Sequence, residues 1–151
     1  MSVALGGILT AMVTPFREDG ALNEDASADL IRHLLANGSD GVVLTGTTGE
    51  GSTVTDAEDT ALWELRAAVA HAAGGTVIAG AGTNDTRHSI EQVERAAAAG
   101  ADAALVVVPY YNKPSRAGLL AHYQAIADAT DLPLVAYNIP HRTGVDMPND
   151  L

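Results

Sequence analysis

The sequence predicts an α/β chain built on a parallel sheet, on three observations. Short β-branched runs alternate with longer stretches of helical spacing. Strand starts recur about every 30 residues, the length of a strand, a crossover helix and the return. Runs such as Ala103-Ala104-Leu105-Val106-Val107-Val108 are apolar without interruption, as in strands covered on both faces.

Taken in order, the strands are expected over 7–13, 41–45, 76–79, 103–108 and 133–137, and the helices over 24–36, 56–73, 86–99 and 115–129. The apolar stretch 1–13 reads as a first strand rather than a signal peptide, because the first basic residue is Arg17 and a charged leading segment is missing. Asn37-Gly38 is placed to stop the first helix, and Thr55 with Glu58 resembles a capping box that opens the second. In the third, Ile90, Val93 and Ala97 are expected on the buried face, with Arg87, Glu91, Glu94 and Arg95 towards solvent and Gly100 as the cap. Trp63 and Tyr123 lie on helices and read as packing residues. At this level a doubly wound sheet and a barrel fit equally well.

Composition narrows the function. Of the 151 residues 47% are apolar and 18% charged, enough to bury a sizeable core in one domain. The 4% aromatic share suits alanine-rich helices on a sheet better than a β-sandwich. A formal charge of −11 repels phosphodiester backbones and anionic lipid surfaces, so neither nucleic acid nor membrane is expected as a partner. Without cysteine, disulfides, thiolate catalysis and Cys-based metal sites are excluded, and a cytoplasmic address is the simplest reading. His33, His71, His88, His122 and His141 show no i, i+4 pairing, so no metal site is expected.

In a parallel α/β sheet the working loops follow the carboxyl ends of the strands. Here these are Gly46-Thr47-Thr48-Gly49-Glu50-Gly51-Ser52, Pro109-Tyr110-Tyr111-Asn112-Lys113-Pro114 and Asn138-Ile139-Pro140-His141-Arg142-Thr143-Gly144. The first is not a phosphate loop: it lacks the Lys-Ser/Thr pair, and Glu50 puts negative charge where phosphate would sit. Gly80-Ala81-Gly82 likewise lacks the third glycine of a dinucleotide fingerprint.

Gly-Thr-Thr-Gly-Glu, Pro-Tyr-Tyr-Asn-Lys-Pro and Tyr-Asn-Ile-Pro-His-Arg-Thr-Gly, in this order and preceded by Val13-Thr14-Pro15-Phe16, closely resemble the dihydrodipicolinate synthase family over essentially the whole chain. The resemblance implies a (β/α)8 TIM barrel, of which residues 1–151 hold about the first five strands and four helices and stop before strand six. It implies an enzyme without metal or redox cofactor that condenses pyruvate with aspartate semialdehyde through a lysine Schiff base in diaminopimelate and lysine synthesis. By motif, Thr47 resembles the threonine linking two tyrosines in a proton relay, and Thr48 its neighbour on the pyruvate carboxylate. Tyr137 resembles the tyrosine that moves protons at the Schiff base. Tyr111 resembles the relay member lent by a partner subunit, which implies a homo-oligomer, dimer or tetramer. Arg142 resembles the arginine that holds the semialdehyde carboxylate. The Schiff-base lysine falls beyond this chain, whose only lysine, Lys113, matches no nucleophile position. The 151-residue chain alone is therefore expected to be inactive.

Two alternatives stand beside this reading. One is another pyruvate-type aldolase, such as N-acetylneuraminate lyase or a keto-deoxy sugar acid aldolase, against which the threonine pair, tyrosine pair and Arg142 argue. The other is a non-catalytic fragment or split-barrel half. Asp56 and Asp59 stand where some relatives carry histidines, and His88 near a position that is often acidic, so weak or absent feedback inhibition by lysine is expected.

Overall fold

The computed structural model describes residues 5–151; the first part of the expected opening strand, residues 1–4, lies outside them. Five strands alternate with five helices: β1 (Leu9–Ala11), α1 (Glu24–Ala36), β2 (Gly41–Leu44), α2 (Asp56–Ala72), β3 (Thr76–Gly80), α3 (Thr86–Ala98), β4 (Ala103–Val107), α4 (Arg116–Asp128), β5 (Leu134–Tyr137) and α5 (Pro140–Thr143). All neighbouring strands pair in parallel, in the spatial order β1-β2-β3-β4-β5. A doubly wound sheet reverses its strand order at a switch point, whereas a barrel wall runs on sequentially. The unreversed order is that of a barrel wall.

Period-two alternation divides the strand residues between two cores. Val42, Leu44, Val77, Ala79, Ala104 and Val106 join Ile31, Trp63, Ala67, Ala70, Val93, Ala96 and Ile126 in the large core between sheet and helices. Val43, Ile78 and Ala103 turn to the opposite face, where Leu5, Leu9, Leu105 and Val135 pack against them. Burial on both faces explains the unbroken apolar runs. The edge strand β5 is only partly covered, and its Ala136 is exposed.

The capping signals give the helices their boundaries. Asn23 accepts from the Ala26 amide at the start of α1. Thr55 and Glu58 form the reciprocal capping box of α2. Gly38 and Gly100 both take left-handed φ, 102° and 85°, just past the ends of α1 and α3.

Four expectations need correction. β1 is shorter than 7–13, because the Gly7 and Ile8 amides donate to Asp40 Oδ2 and Val13 is exposed. The buried stripe of α3 is Ser89, Gln92, Val93 and Ala96; Ala97 points to solvent and Ile90 is half-buried, since the helix is turned towards α2 and α4 by its polar residues as well as its apolar ones. Arg95 is half-buried and paired with Asp56 at 3.0 Å rather than solvated. The loop after β5 forms the short helix α5, with Pro140 in its first turn and Gly144 at φ 72° closing it through its amide to the Pro140 carbonyl.

Candidate active site

At the carboxyl ends of the strands the loops enclose a cavity of about 300 Å³. Its lining includes Thr45, Thr47 and Ser52 after β2, Gly82 and Thr83 after β3, Tyr110 after β4, and Tyr137, Arg142 and Thr143 at and after β5. The wall is rich in hydroxyls and phenols, contains no carboxylate and no lysine, and carries a single formal charge, the guanidinium of Arg142. On a chain of charge −11 this one positive group stands out, and a planar guanidinium can grip a carboxylate at two oxygens.

The loop after β2 is held from several sides. Thr45, 5% exposed, ends the strand in a left-handed conformation with φ 46°. Its Oγ1 accepts from Trp63 Nε1 at 2.9 Å, and Trp63 is fully buried. Thr14, after β1, donates from Oγ1 to the Gly49 carbonyl at 2.7 Å. The Gly51 amide donates to the Gly46 carbonyl and that of Glu50 to Thr47. The glycines here serve close packing, since a Cβ at Gly51 would stand 2.0 Å from the Thr45 carbonyl oxygen and one at Gly80 2.5 Å from it. That is a steric reason for the glycine-rich composition, distinct from an anion cradle.

Behind this loop α2 buries two ionisable groups. Burial pushes the Asp59 carboxyl up to about 7, against the Thr45 hydroxyl that faces it; Asp56 raises it further, and Arg95 and Arg66 lower it. Arg66 is brought down to about 10 by burial, with Asp59 opposing, and its Nη2 donates to Ser27 Oγ of α1 at 2.8 Å. At the mouth of α2, Asp56 accepts from His88 Nε2 at 3.0 Å, and this contact, with Arg95 nearby, holds its carboxyl below the usual range despite some desolvation.

Of the residues singled out from the sequence, Thr47, Tyr137 and Arg142 come together in the cavity wall. Thr143, buried, donates its hydroxyl to the Val145 carbonyl at 2.8 Å, with the Ile139 carbonyl also in reach at 3.2 Å, and so fixes the turn that carries Arg142. Thr48 lies on the same loop but is exposed and does not line the cavity. The tyrosine pair is divided: Tyr110 faces the cavity, while Tyr111, at φ 71°, is 89% exposed and points away from it. Lys113 is exposed at φ 44° and outside the cavity, its stem lying along Gly144. Ser52 and Tyr110 belong to the loops expected at this rim, though the sequence assigns no role to either, while Thr45, Thr83 and Gln92 are wall residues that the sequence does not single out. Thr83 was within reach, because it follows a strand as the other loop residues do; Gln92 sits on a helix and gave no signal.

A sequentially ordered parallel wall with a polar cavity at its carboxyl rim defines the class as a (β/α)-barrel of the enzyme type. Residues 4–150 match the dihydrodipicolinate synthetase family, and the chain belongs to that family. It is 57% identical over 141 residues to a 4-hydroxy-tetrahydrodipicolinate synthase of Acidothermus cellulolyticus, an alignment covering 92% of this chain and 45% of the relative. Among solved structures, dihydrodipicolinate synthase of Bacillus anthracis superposes with a TM-score of 0.96 at 41% identity, covering 99% of this chain and 51% of that one. The chloride-inhibited enzyme of Acinetobacter baumannii, complexed with pyruvate, gives 0.94 at 44% identity, with 97% and 50% covered. The chain spans about half the length of the relatives it matches.

Proposed function

We propose that this chain supplies the first five strands of a dihydrodipicolinate synthase barrel, and with them the proton-handling and carboxylate-binding side of the site where pyruvate condenses with aspartate semialdehyde. The observation that carries the reading is the cavity wall: three family-type residues, Thr47, Tyr137 and Arg142, in one cleft whose only charge is the guanidinium. Thr47 passes protons between phenols and Tyr137 delivers and removes them at the Schiff base; the pyruvate-carboxylate role of Thr48 rests on the motif alone, since its side chain lies outside the cavity wall. Arg142 takes the carboxylate of the semialdehyde, which favours this substrate over a neutral polyol chain. A phenol near pKa 10 exchanges protons usefully at neutral pH only within such a relay.

The amine that forms the imine comes from outside this chain. Lys113 does not line the cavity, and no other side-chain type forms an imine with a ketone. Tyr111, turned outwards, serves the cavity of a neighbouring copy, so the working protein is a homo-oligomer, dimer or tetramer, in the cytoplasm. No described helix is long and apolar enough to cross a membrane. The tie between Asp56 and His88 supports weak or absent inhibition by lysine, because both side chains are already engaged with each other.

The test is reductive trapping. The 151-residue chain and, separately, the chain combined with the lysine-bearing second half of the Acidothermus relative are incubated with pyruvate and borohydride and weighed by mass spectrometry. The expected result is no adduct on this chain in either sample, and a stoichiometric adduct on the second half in the combined one, with condensation that Tyr137→Phe reduces by about 100-fold or more. A stoichiometric adduct on Lys113 with turnover, or a combined barrel that binds no pyruvate, would overturn the proposal.

A further inference from the structure

Thr45 stands where β2 hands over to the loop that carries Thr47. A β-branched residue at a φ of 46° is strained, and such strain persists only where the surroundings over-determine it. Here they do so from two directions. The Thr45 carbonyl is enclosed by Gly51 and Gly80, neither of which leaves room for a Cβ. Its side chain is enclosed by α2, whose residues 59 and 63 stand one turn apart on the buried face. The hydroxyl accepts from the Trp63 indole at 2.9 Å and faces the Asp59 carboxyl, to which it can donate. All three side chains are buried: Thr45 is 5%, Asp59 3% and Trp63 0% exposed. Of the side chains of this shape a hydroxyl accepts from the indole and the isosteric valine does not, so a polar residue in an apolar wall has a specific use here.

We infer that Thr45 is a positioning residue of the site: its hydroxyl, held by the Trp63 indole of α2, fixes the turn that aims Thr47 into the cavity. The inference rests on the reading of Thr47 as a relay member. It assigns to α2 a part in the site that none of its residues plays by touching substrate. Thr14 anchors the far side of the same loop through Gly49, so the loop has two buried supports, of which the one at Thr45 is next to the relay residue.

The experiment compares Thr45→Val, which keeps the branched shape and loses the hydroxyl, with Thr45→Ser, which keeps the hydroxyl. Amide hydrogen exchange is followed in the full 151-residue chain. In Thr45→Val the amides of Glu50 and Gly51 should exchange about ten-fold faster, with those of α3 and α4 within about two-fold of the parent, and Thr45→Ser should stay near the parent throughout. Trp63 is the only tryptophan, so its fluorescence should shift in Thr45→Val and return in Thr45→Ser. In the barrel completed with the second half, Thr45→Val should lower kcat about 10- to 100-fold with KM for pyruvate within about two-fold, and Thr45→Ser should restore kcat. If Thr45→Val does not fold, Trp63→Phe removes the same hydrogen bond from its other end and should give the same loop-limited acceleration. Unchanged exchange at Glu50 and Gly51, or equal acceleration across all helices, overturns the inference. Absence of pyruvate trapping in the unsubstituted completed barrel would instead count against the functional reading, and the exchange result would still decide on Thr45.

Discussion

The loops after β2 and β4 leave the same sheet in the same direction, and both contain non-glycine residues in left-handed conformations, yet they are supported in opposite ways. After β2, Thr45 is buried, hydrogen-bonded to Trp63 and packed against two glycines, while Thr14 grips the loop at Gly49. After β4, Tyr111 and Lys113 take φ of 71° and 44° on the surface. That loop is held chiefly by Asn112, whose amide donates to the Tyr110 carbonyl and whose side chain donates to the Asn84 carbonyl. Strain of about 1–3 kcal/mol per residue needs support. At Thr45 the support lies within the chain; at Tyr111 no described residue covers the ring. The first loop is braced from within and lines the cavity, whereas the second leaves the Tyr111 ring on the surface.

The contrast can be broken first at its tightest point. Gly51→Ala puts a methyl group 2.0 Å from the Thr45 carbonyl, so the backbone must move. We expect a loss of about 3 kcal/mol or more, a fall in Tm on the order of 10 °C by calorimetry. A neutral Gly51→Ala would mean that the loop after β2 is far softer than this description.

Titration sharpens the contrast, because the internal support includes an acid with an abnormal pKa. The folded Asp59 carboxyl, raised by burial to about 7, stays protonated while that of the unfolded chain, near 3.8, ionises. The folded state then binds more protons, so the Asp59 contribution makes stability fall as pH rises from about 4 to about 7 and levels off above that. Asp59→Asn should remove this component, making the variant gain on the parent by roughly 2–4 kcal/mol across the window in urea unfolding. An unchanged difference between the two from acid to neutral pH would show that the carboxyl is normally ionised. The smallest effect is expected on the displayed side. Tyr111→Phe should change stability by less than about 0.5 kcal/mol, since its ring is 89% exposed.

Much of this architecture was legible because it is written locally. Helix boundaries follow from Thr55 with Glu58, Gly38 and Gly100, which act within a turn of their own position. The apolar runs gave the strands, but not the choice of barrel over doubly wound sheet; spatial strand order decides that and has no local signature. Thr47, Tyr137 and Arg142 were legible as residues following strands in a family-like pattern, and they share one wall. The split of Tyr110 from Tyr111 was not, because it depends on one left-handed φ that adjacent identical residues cannot reveal. Nor was the Thr45–Trp63 contact, which joins residues 18 apart through the packing of α2 on β2. In the sequence Asp59 stands out only as an acid near the start of a helix; its burial comes from the same packing.

Subunit mixing tests most directly the proposal that Tyr137 works in its own cavity and Tyr111 in that of a neighbour. Tyr137→Phe and Tyr111→Phe versions of the completed barrel are each prepared, dissociated, mixed in equal amounts and reassociated. In a symmetric dimer half the molecules are then hybrids, and one of the two sites in each hybrid receives both native tyrosines. The predicted result is recovery of about one quarter of the parent activity from two nearly inactive preparations. Activity in the mixture no greater than the mean of the two variants, with hybrid formation verified by native mass spectrometry, would place both tyrosines in one subunit's site and contradict the account.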